Sequence, residues 1–513
     1  MSPSGKVKSE VPELTGPQIM PKARVSPPYV TGFALAFVLA GLVLTIHVLA
    51  ATRSVTVDPS DGSISGLARV IDDTSAIGGR AVEFGASGSS TPPTQVGAPS
   101  PTSVAPPVSP LPPLPLTTNG RFIVSKSNTN SRVKLVSVNW YGFEQADNAP
   151  AGLQYRPLST IVGQIKALGV NSVRLPWATD SWNSNPVVPS SALTANPGFM
   201  GLHLRNLMDK VVNALAGQGI MVVLDNHTSS PEWCCSNTDG NALWWEDYNP
   251  SSPPSWSTMT VAQQSQLFQQ GNTAWEQAWQ NIITRYSAAG TDPQPAVIGA
   301  DLRNEPRNDT TLGLDSIWGG QSTPTYENWQ QAATQAGDLL LGVNPNLLIM
   351  VEGIDYSVYL GGFDDNKDLP ANPTNGYRGA GGYPVVLSVP HQLVYAPHNY
   401  SWDSGTSPTK LGQWWGYLLS SSSYQAPIWL GEFGTCNTSA TNCLTATSQG
   451  VWWQTITKYL SSTDVDWSYW ALNGTRIDGS VESYGLLNST WNGEAMPQLT
   501  QSLRGLEAIS QRP

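Results

Sequence analysis

The sequence predicts an α/β fold, a (β/α)8 TIM barrel, preceded by a transmembrane helix and a linker rich in Pro, Ser and Thr. Eight short apolar runs alternate with longer amphipathic segments between residues 118 and 510. The runs are apolar throughout, which is typical of strands buried on both faces of a parallel sheet. Most runs end in polar or aromatic residues, as barrel strands do at the end that carries the functional site.

The eight runs are assigned to strands, and segments with helical periodicity lie between most of them. The runs are LVSVNWYG at 135, VNSVRLPW at 170, IMVVLDNH at 220, AVIGADLRNEP at 296, LLIMVEGI at 347, LVYAPHNY at 393, PIWLGEFG at 427 and DWSYWALNG at 466. Helices are predicted over 158–168, 202–216, 261–288, 326–341, 411–419 and 449–460. The irregular interval 228–257 is predicted to be a loop that walls the barrel mouth.

The N-terminal 51 residues predict a membrane anchor. Residues 1–29 are polar and contain four basic side chains, whereas 30–51 is an apolar run long enough to cross a bilayer of ~30 Å. The upstream positive charges favour a cytoplasmic N-terminus and an extracellular catalytic domain, in a single-pass protein of the cell membrane. The alternative is a secreted protein with a cleaved signal peptide, although the apolar run exceeds the ~7–15 residues of such a core.

Two further segments precede the barrel. Residues 52–85 alternate weakly between apolar and polar side chains, with glycine-rich turns, and are interpreted as a small β-rich segment without an assigned role. Residues 86–117 are rich in Pro, Ser and Thr. This composition predicts an extended linker that separates the 118–510 domain from the anchor.

The composition favours a neutral polymeric partner over nucleic acid. Charged residues make up 12% of the chain, about half the usual share, while Trp and Tyr number 20 and 17. The net charge of −11 would repel nucleic-acid phosphates. We therefore expect an uncharged polysaccharide as partner, with the bilayer contacted through the N-terminal helix, and we expect a monomer.

Four cysteines, at 234, 235, 436 and 443, favour disulfides over the alternative of unpaired core thiols, because the predicted anchor points to an oxidising compartment. A bond between Cys436 and Cys443 would close a short loop and is favoured. Cys234 and Cys235 then remain as an adjacent pair. A zinc site is disfavoured because no histidine lies at ligand spacing near either pair.

Two glutamates carry the chemistry that the sequence predicts. The run from 296 ends on Asn304 and Glu305, and the run from 427 ends on Glu432 between two glycines. Two carboxyl groups on strand ends can face each other across one mouth, and such a pair cleaves glycosidic bonds.

The motifs SVRLPW, LDNH, LRNEP, APHNY, WLGEFG and WSYW, taken together and in this order, resemble glycoside hydrolase family 5, in particular its bacterial endo-β-1,4-glucanases. The resemblance covers about residues 119–505. It implies a retaining, endo-acting hydrolase of β-1,4-glucan, cellulose or mixed-linkage glucan, with no metal and no organic cofactor.

The resemblance also implies a role for eight residues. By this resemblance Glu432 is the nucleophile and Glu305 the acid/base. Arg174 lies near the nucleophile, and Asn304 holds the sugar 2-hydroxyl. The remaining positions are His227 at the third strand, His398 and Tyr400 as the sixth-strand pair, and Trp470 as the platform under the cleaved sugar. The strand ends add Asn139, Trp140 and Trp177 as candidates for substrate binding.

Tryptophans in loops suit the apolar faces of sugar rings. Those in or after strand ends are 140, 177, 233, 244, 245, 402, 414, 415 and 470. The pair 414 and 415 falls in a predicted helix and is interpreted as packing.

Other functions remain open at this point. The same eight residues serve β-mannanases and exo-acting β-glucosidases, and a barrel that binds carbohydrate without cleaving it would keep the fold. A metal-dependent hydrolase is disfavoured because the chain has five histidines, none of which forms a ligand cluster.

Overall fold

The structure, a computed structural model, describes residues 68–72, 80–84, 111–320, 322–360, 379–403, 405–420 and 425–513. The predicted cytoplasmic segment and the 30–51 helix lie outside these residues. Within the part of the chain that is described, no helix has both the length and the apolar character needed to cross a bilayer. The chain divides into two compact units, Met1–Ser103 and Val104–Pro513.

The described part of the first unit is an antiparallel pair. Strand β1 (Ala68–Asp72) pairs with β2 (Arg80–Phe84), with Ala68 opposite Phe84. Both strands lie within the segment predicted to be β-rich, 52–85.

The second unit is a barrel of eight parallel strands. They are β6 (Val136–Asn139), β7 (Ser172–Ala178), β8 (Met221–Thr228), β9 (Val297–Asp301), β10 (Leu348–Val351), β11 (Leu393–Tyr395), β12 (Trp429–Phe433) and β13 (Asp466–Tyr469). Their order in the sheet is β11-β10-β9-β8-β7-β6-β13-β12. Each predicted run overlaps one of these strands, and β7 and β8 extend one residue beyond their runs, so the predicted (β/α)8 barrel is confirmed.

Two isolated bridges close the barrel between its edge strands β11 and β12. Tyr395 pairs with Ile428 at one end of this seam, and His398 pairs with Glu432 at the other. The backbone N–H of Asn399 also donates to the carbonyl of Glu432 at 3.1 Å. The seam thereby places the backbone of His398 beside that of Glu432.

A three-stranded antiparallel sheet precedes the barrel and was not predicted. It consists of β3 (Leu116–Asn119), β4 (Phe122–Ser125) and β5 (Asn128–Arg132). Leu116 and Ile123 are buried against side chains of the barrel interior. Those interior side chains include Met221, Val223, Ile298, Leu348, Met350 and Val394. The sheet therefore plugs the N-terminal end of the barrel.

The predicted boundary between linker and barrel domain, at 117/118, is corrected by this sheet. Strand β3 begins at Leu116, which is buried, and Thr117 donates a hydrogen bond to the carbonyl of His391. The strand was not predicted because it has only four residues and directly follows a Pro-rich stretch.

Helices surround the barrel. They span Leu158–Ala167, Thr179–Ser184, Leu204–Gly217, Val261–Tyr286, Trp329–Val343, Pro408–Trp414, Ser448–Thr463 and Pro497–Arg504. Two short helices, Thr179–Ser184 and Pro497–Arg504, have no counterpart among the predicted helices, because so few residues show little periodicity. The predicted 411–419 helix begins earlier, at Pro408, where the Ser407 side chain accepts a hydrogen bond from the N–H of Lys410, and becomes a 3-10 turn at Gly416–Leu419.

Two indoles of the longest helix fix the chain that leads to Glu305. Trp275 and Trp279 are buried, and their Nε1–H groups donate to the carbonyl of Leu302 at 3.1 and 2.9 Å. Leu302 directly follows β9. The helix layer thus fixes the end of β9, from which the chain continues to Glu305.

The plug sheet should contribute measurably to stability. Replacing Ile123 by Ala is expected to lower the free energy of unfolding by about 2–5 kcal/mol, because a fully buried side chain leaves a cavity at the barrel floor. The exposed Thr129→Ala in the same sheet is the control and should change it by less than about 0.5 kcal/mol. Urea unfolding followed by tryptophan fluorescence measures both, and equal effects would contradict the plug.

Candidate active site

The two predicted catalytic glutamates lie in one cleft at the C-terminal ends of the strands. Glu432 belongs to β12, while Glu305 follows β9 by four residues and has a left-handed backbone, with φ of +47°. A carboxylate oxygen of each residue, together with a nitrogen of His398, falls within a mutual distance of 4.8 Å. The cleft has a volume of about 470 Å³, and both glutamates line it.

Arg174, on β7, is a buried cation below the cleft that forms ion pairs with several carboxylates. Its side chain is fully buried and meets four carboxylates, Asp225 at 3.0 Å, Asp301 at 2.8 Å, Glu352 at 2.8 Å and Glu432 at 2.6 Å. Burial by itself lowers the pKa of Arg174, but these carboxylates raise it well above its ordinary value. The guanidinium is therefore permanently charged beside Glu432.

Two asparagine side chains complete the surroundings of Arg174. Its Nη1 donates to Asn139 Oδ1, and its Nη2 donates to Asn304 Oδ1, both at 3.0 Å. Asn139 also donates to the Gly431 carbonyl at 3.1 Å, next to Glu432. Asn139 is thus a buried support of the site, whereas Asn304 reaches the cleft.

Glu432 is enclosed by hydrogen-bond donors. Arg174 donates to its Oε1, and the hydroxyl of Tyr400 donates to its Oε2 at 2.8 Å. Burial raises the pKa of Glu432, and His398 and Arg174 act in the opposite direction. Burial and the Glu432 carboxylate raise the pKa of Tyr400 well above its ordinary value, so the phenol keeps the proton that it donates.

His398 connects the two glutamates. Its Nδ1 lies 3.0 Å from Glu305 Oε1 and 3.9 Å from Glu432 Oε2, and its Nε2 lies 3.4 Å from Glu352 Oε1. Burial alone would lower the pKa of His398, yet Glu352, Glu432 and Glu305 raise it well above its ordinary value. An imidazolium at this place partly neutralises the three carboxyl groups.

Glu352 follows β10 and is a functional residue to which the sequence assigned no role. Its Oε2 accepts the backbone N–H of Glu305 at 2.7 Å and the hydroxyl of Ser357. Burial by itself raises its pKa, but His398 and Arg174 lower it to about 2. The ionised Glu352 thereby holds the backbone of one catalytic candidate and, through Arg174, the side chain of the other.

His227 and Trp470 form the other side of the cleft. Asp225 accepts a hydrogen bond from His227 Nδ1 at 2.7 Å, and the His227 ring is nearly parallel to the indole of Trp470, with centroids 5.5 Å apart. Tyr141 stacks on the same indole at 5.1 Å. The Tyr141 hydroxyl donates to Glu482 at 2.7 Å, which fixes the platform.

The prediction that Trp140 and Trp177 bind substrate is wrong. Both are fully buried in the layer between strands and helices. Side chains alternate along a strand, so Trp140 shares the outer face with Val138, and Trp177 faces the helices because Arg174, three residues earlier, points inward. Trp140 Nε1 donates to the carbonyl of Ala151.

Of the other tryptophans, some line the cleft and others pack. Trp233 and Trp402 are exposed by 46% and 63% and line it with Trp470. Trp402 stacks on Tyr400 with ring centroids 4.4 Å apart. The tryptophans at 244, 245, 414 and 415 are buried in the core.

All four cysteines are paired. A disulfide joins Cys436 and Cys443, as favoured from the sequence, and another joins the adjacent Cys234 and Cys235. The predicted loop 228–257 carries the second pair to the cleft wall.

Three groups among the described residues bring metal-type ligand atoms together. They are Cys234, Cys235 and Glu305; Glu305, His398 and Glu432; and Asp225, Asp301 and Glu352. The cysteines are oxidised, and Arg174 already supplies the cation that the three acidic side chains need. The ligand atoms of the cysteines and of the three acidic side chains are therefore already bonded or paired without an ion. The expected absence of a metal and of a cofactor stays a prediction.

The sequence is similar to those of known glycoside hydrolases. The family described as cellulase (glycosyl hydrolase family 5) matches residues 128–476. An endoglucanase from Paenibacillus polymyxa is 29% identical over 410 residues, which are 77% of this chain and 88% of the relative.

Two solved structures are similar to this one. The catalytic domain of the major endoglucanase from Xanthomonas campestris pv. campestris has a TM-score of 0.56 and 25% identity, over 76% of this chain and 99% of that chain. A hyperthermophilic endocellulase from the archaeon Pyrococcus horikoshii has a TM-score of 0.58 and 22% identity, over 76% of this chain and 98% of that chain, and this likeness concerns the fold alone.

Replacing Glu352 by Gln should impair turnover of a soluble β-glucan. We expect kcat/KM to fall by roughly tenfold or more, because charged hydrogen bonds to Arg174 and the contact to His398 are lost. The pKa of His398 falls when this carboxylate is removed, so the imidazolium is lost at lower pH and the alkaline limb of the rate profile moves to lower pH.

The matched control is Glu246→Gln. Glu246 is also fully buried and accepts two backbone N–H groups, but it lies outside the cleft lining. Its pKa is raised well above the ordinary value by burial, so an uncharged amide resembles its native state. If neither Glu352→Gln nor Glu246→Gln shifts the pH profile, Glu352 has no role in the active site.

Proposed function

Since the chain belongs to the cellulase family, glycosyl hydrolase family 5, we propose that it cleaves β-1,4-glucan by a retaining double displacement, with Glu432 as nucleophile and Glu305 as acid/base. The chain is a glycoside hydrolase of the endoglucanase type, and the mechanism and the residue roles are the proposal. The observation that carries it is the pair of carboxylate oxygens within 4.8 Å. Retaining enzymes hold their carboxyl groups about 5–5.5 Å apart, whereas inverting enzymes need roughly 6.5–9.5 Å.

In the first step, a Glu432 oxygen bonds to the anomeric carbon as the glycosidic bond breaks, and Glu305 gives its proton to the departing oxygen. Arg174 and the Tyr400 hydroxyl hold the two oxygens of Glu432. These donors orient the carboxylate and favour its ionised form, against the burial that raises its pKa.

In the second step, Glu305 accepts a proton from a water molecule, whose oxygen attacks the anomeric carbon and releases Glu432. The Glu305 side chain remains 12% accessible, so water can reach it, and His398 orients its Oε1 from 3.0 Å. Asn304 lies beside Glu305 on the cleft wall, where its amide can bind the sugar 2-hydroxyl as the ring becomes oxocarbenium-like.

The cleft suits a chain of neutral sugars. Trp233, Trp402 and Trp470 present indole surface to it, and apolar sugar faces stack on such rings. The name endoglucanase of the 29% identical relative supports internal cleavage of glucan. A β-mannan substrate and exo-cleavage of short glucosides are the competing assignments within the same family.

The two glutamates should respond differently to substitution. Glu432→Gln is expected to lower kcat by a factor on the order of 10⁴ or more on every substrate, because no glycosyl-enzyme can form. Glu305→Ala should slow polysaccharide cleavage by about 10²–10⁴-fold, yet slow aryl glycosides with good leaving groups far less, since these need little protonation.

Azide separates these roles. Added to Glu305→Ala, it should restore turnover by attacking the glycosyl-enzyme from the side that Glu305 occupied, giving a glycosyl azide of retained configuration. A glycosyl azide of retained configuration from Glu432→Gln, with an inverted one from Glu305→Ala, would instead exchange the assignments of the two residues. Wild-type rates in both variants would end the proposal.

A side-by-side assay of carboxymethylcellulose, mixed-linkage β-glucan, mannan, xylan and aryl glucosides decides the substrate. We expect a rapid loss of viscosity on the two glucans, because a few internal cuts shorten a polymer sharply. Activity confined to mannan or to aryl glucosides would replace the glucan assignment.

We also propose that residues 30–51 anchor the enzyme in the cell membrane with the catalytic domain outside. The apolar run and its upstream basic residues support this. Full-length protein should then resist carbonate extraction from membranes, whereas a chain starting at Val104, where the second compact unit begins, should be soluble and equally active per molecule. Mature protein that begins after residue 50 would identify a cleaved signal instead.

A further inference from the structure

The disulfide between Cys234 and Cys235 lies in the catalytic cleft. Both residues line the cleft together with Asn304 and Glu305. Their sulfur atoms each lie 3.4 Å from Nδ2 of Asn304, and a sulfur of each comes within 4.8 Å of a Glu305 oxygen. The pair thus faces the amide and the carboxyl group that the proposed mechanism places around the reacting sugar.

Chain entropy does not explain this disulfide. A crosslink stabilises a fold mainly by closing a loop in the unfolded chain, and the effect grows with loop length. Cys436 and Cys443 are seven positions apart and close such a loop, whereas Cys234 and Cys235 are adjacent and close almost none. The adjacent pair therefore needs a role in the folded protein.

The contacts of Asn304 supply that role. Arg174 has only donors, so the atom that it contacts in the amide must be the oxygen, and the NH₂ group must face the sulfurs. An oxidised sulfur has no proton and accepts only weakly. The NH₂ group is thereby oriented without being strongly bound, and a sugar hydroxyl can replace the sulfurs as its acceptor.

We propose that the Cys234–Cys235 disulfide is a positioning group of the sugar subsite at Asn304, which keeps the amide turned toward the sugar 2-hydroxyl. This inference rests on the proposed function. The oxidised pair also offers an uncharged, proton-free wall to Glu305.

Reduction should disturb this arrangement. A thiolate of dithiothreitol attacks one sulfur, its second thiol then closes the reagent into a cyclic disulfide, and Cys234 and Cys235 each gain a hydrogen. The two new S–H groups are donors within reach of the Glu305 carboxylate. Asn304 then faces two thiols, whose S–H donors compete with its NH₂ group for the sugar hydroxyl, while their sulfurs accept only weakly.

The test compares an activated aryl β-cellobioside with its analogue that lacks the 2-hydroxyl on the sugar next to the cleaved bond. Reduction of the native enzyme is expected to lower kcat/KM about tenfold on the hydroxylated substrate. On the 2-deoxy analogue the loss should be less than about twofold, because the contact to the 2-hydroxyl is absent from the start.

Two double variants assign the effect to this pair. Cys436→Ser with Cys443→Ser keeps only the adjacent disulfide and should still respond to the reductant. Cys234→Ser with Cys235→Ser should show the same selective loss without the reductant and no response to it. Thiol alkylation with mass detection establishes that reduction took place. If the native disulfide is not reduced by the reagent, the Cys234→Ser with Cys235→Ser variant tests the positioning role instead.

Equal losses on both substrates, or no loss on either, would overturn the positioning role. If the serine variant does not fold, reduction of the folded native enzyme and of the Cys436→Ser with Cys443→Ser variant makes the same comparison. Absence of glycoside hydrolysis by the untreated wild-type enzyme would instead refute the proposed function, so the two failures are distinguishable.

Discussion

The contact of one guanidinium with four carboxylates is the constraint on which the site depends. Arg174 is fully buried on β7 and meets Asp225, Asp301, Glu352 and Glu432, which come from or directly follow β8, β9, β10 and β12. A buried charge without partners costs several kcal/mol, so these strands must keep their register for the ions to meet. The fold and the position of the nucleophile candidate are thus coupled through one side chain.

The two catalytic candidates differ because their surroundings differ. Glu432 is inside the barrel end and receives donors on both oxygens, whereas Glu305 sits on a left-handed turn, partly open to the cleft. His398 lies between them, and Glu352 fixes the Glu305 backbone. Similar side chains in unequal environments are what acid/base and nucleophile roles require.

The barrel was predictable because eight apolar runs that alternate with helical segments leave few alternatives, and the polar ends of those runs indicated the mouth. The eight residues with predicted roles lie in or directly beneath one cleft, and Asn139 supports Arg174 below it. Glu352 received no role because one carboxylate after a strand has no distinctive motif. The misassignment of Trp140 and Trp177 has a different cause, since a residue at a strand end faces either the barrel interior or the helices. The odd spacing of Trp140 from Asn139, and of Trp177 from Arg174, was the signal that separates the two.

The sequence by itself determined the order of strands, the identity of the paired glutamates and the presence of many aromatic side chains. These follow from local patterns, namely apolar runs, motifs and composition. Only the tertiary structure decided which tryptophans reach the cleft, that β3 to β5 plug the barrel floor, and that the disulfide of Cys234 and Cys235 faces Asn304. Those facts depend on contacts between residues distant in the chain, and such contacts form only when the closed sheet brings the strand ends and their loops together.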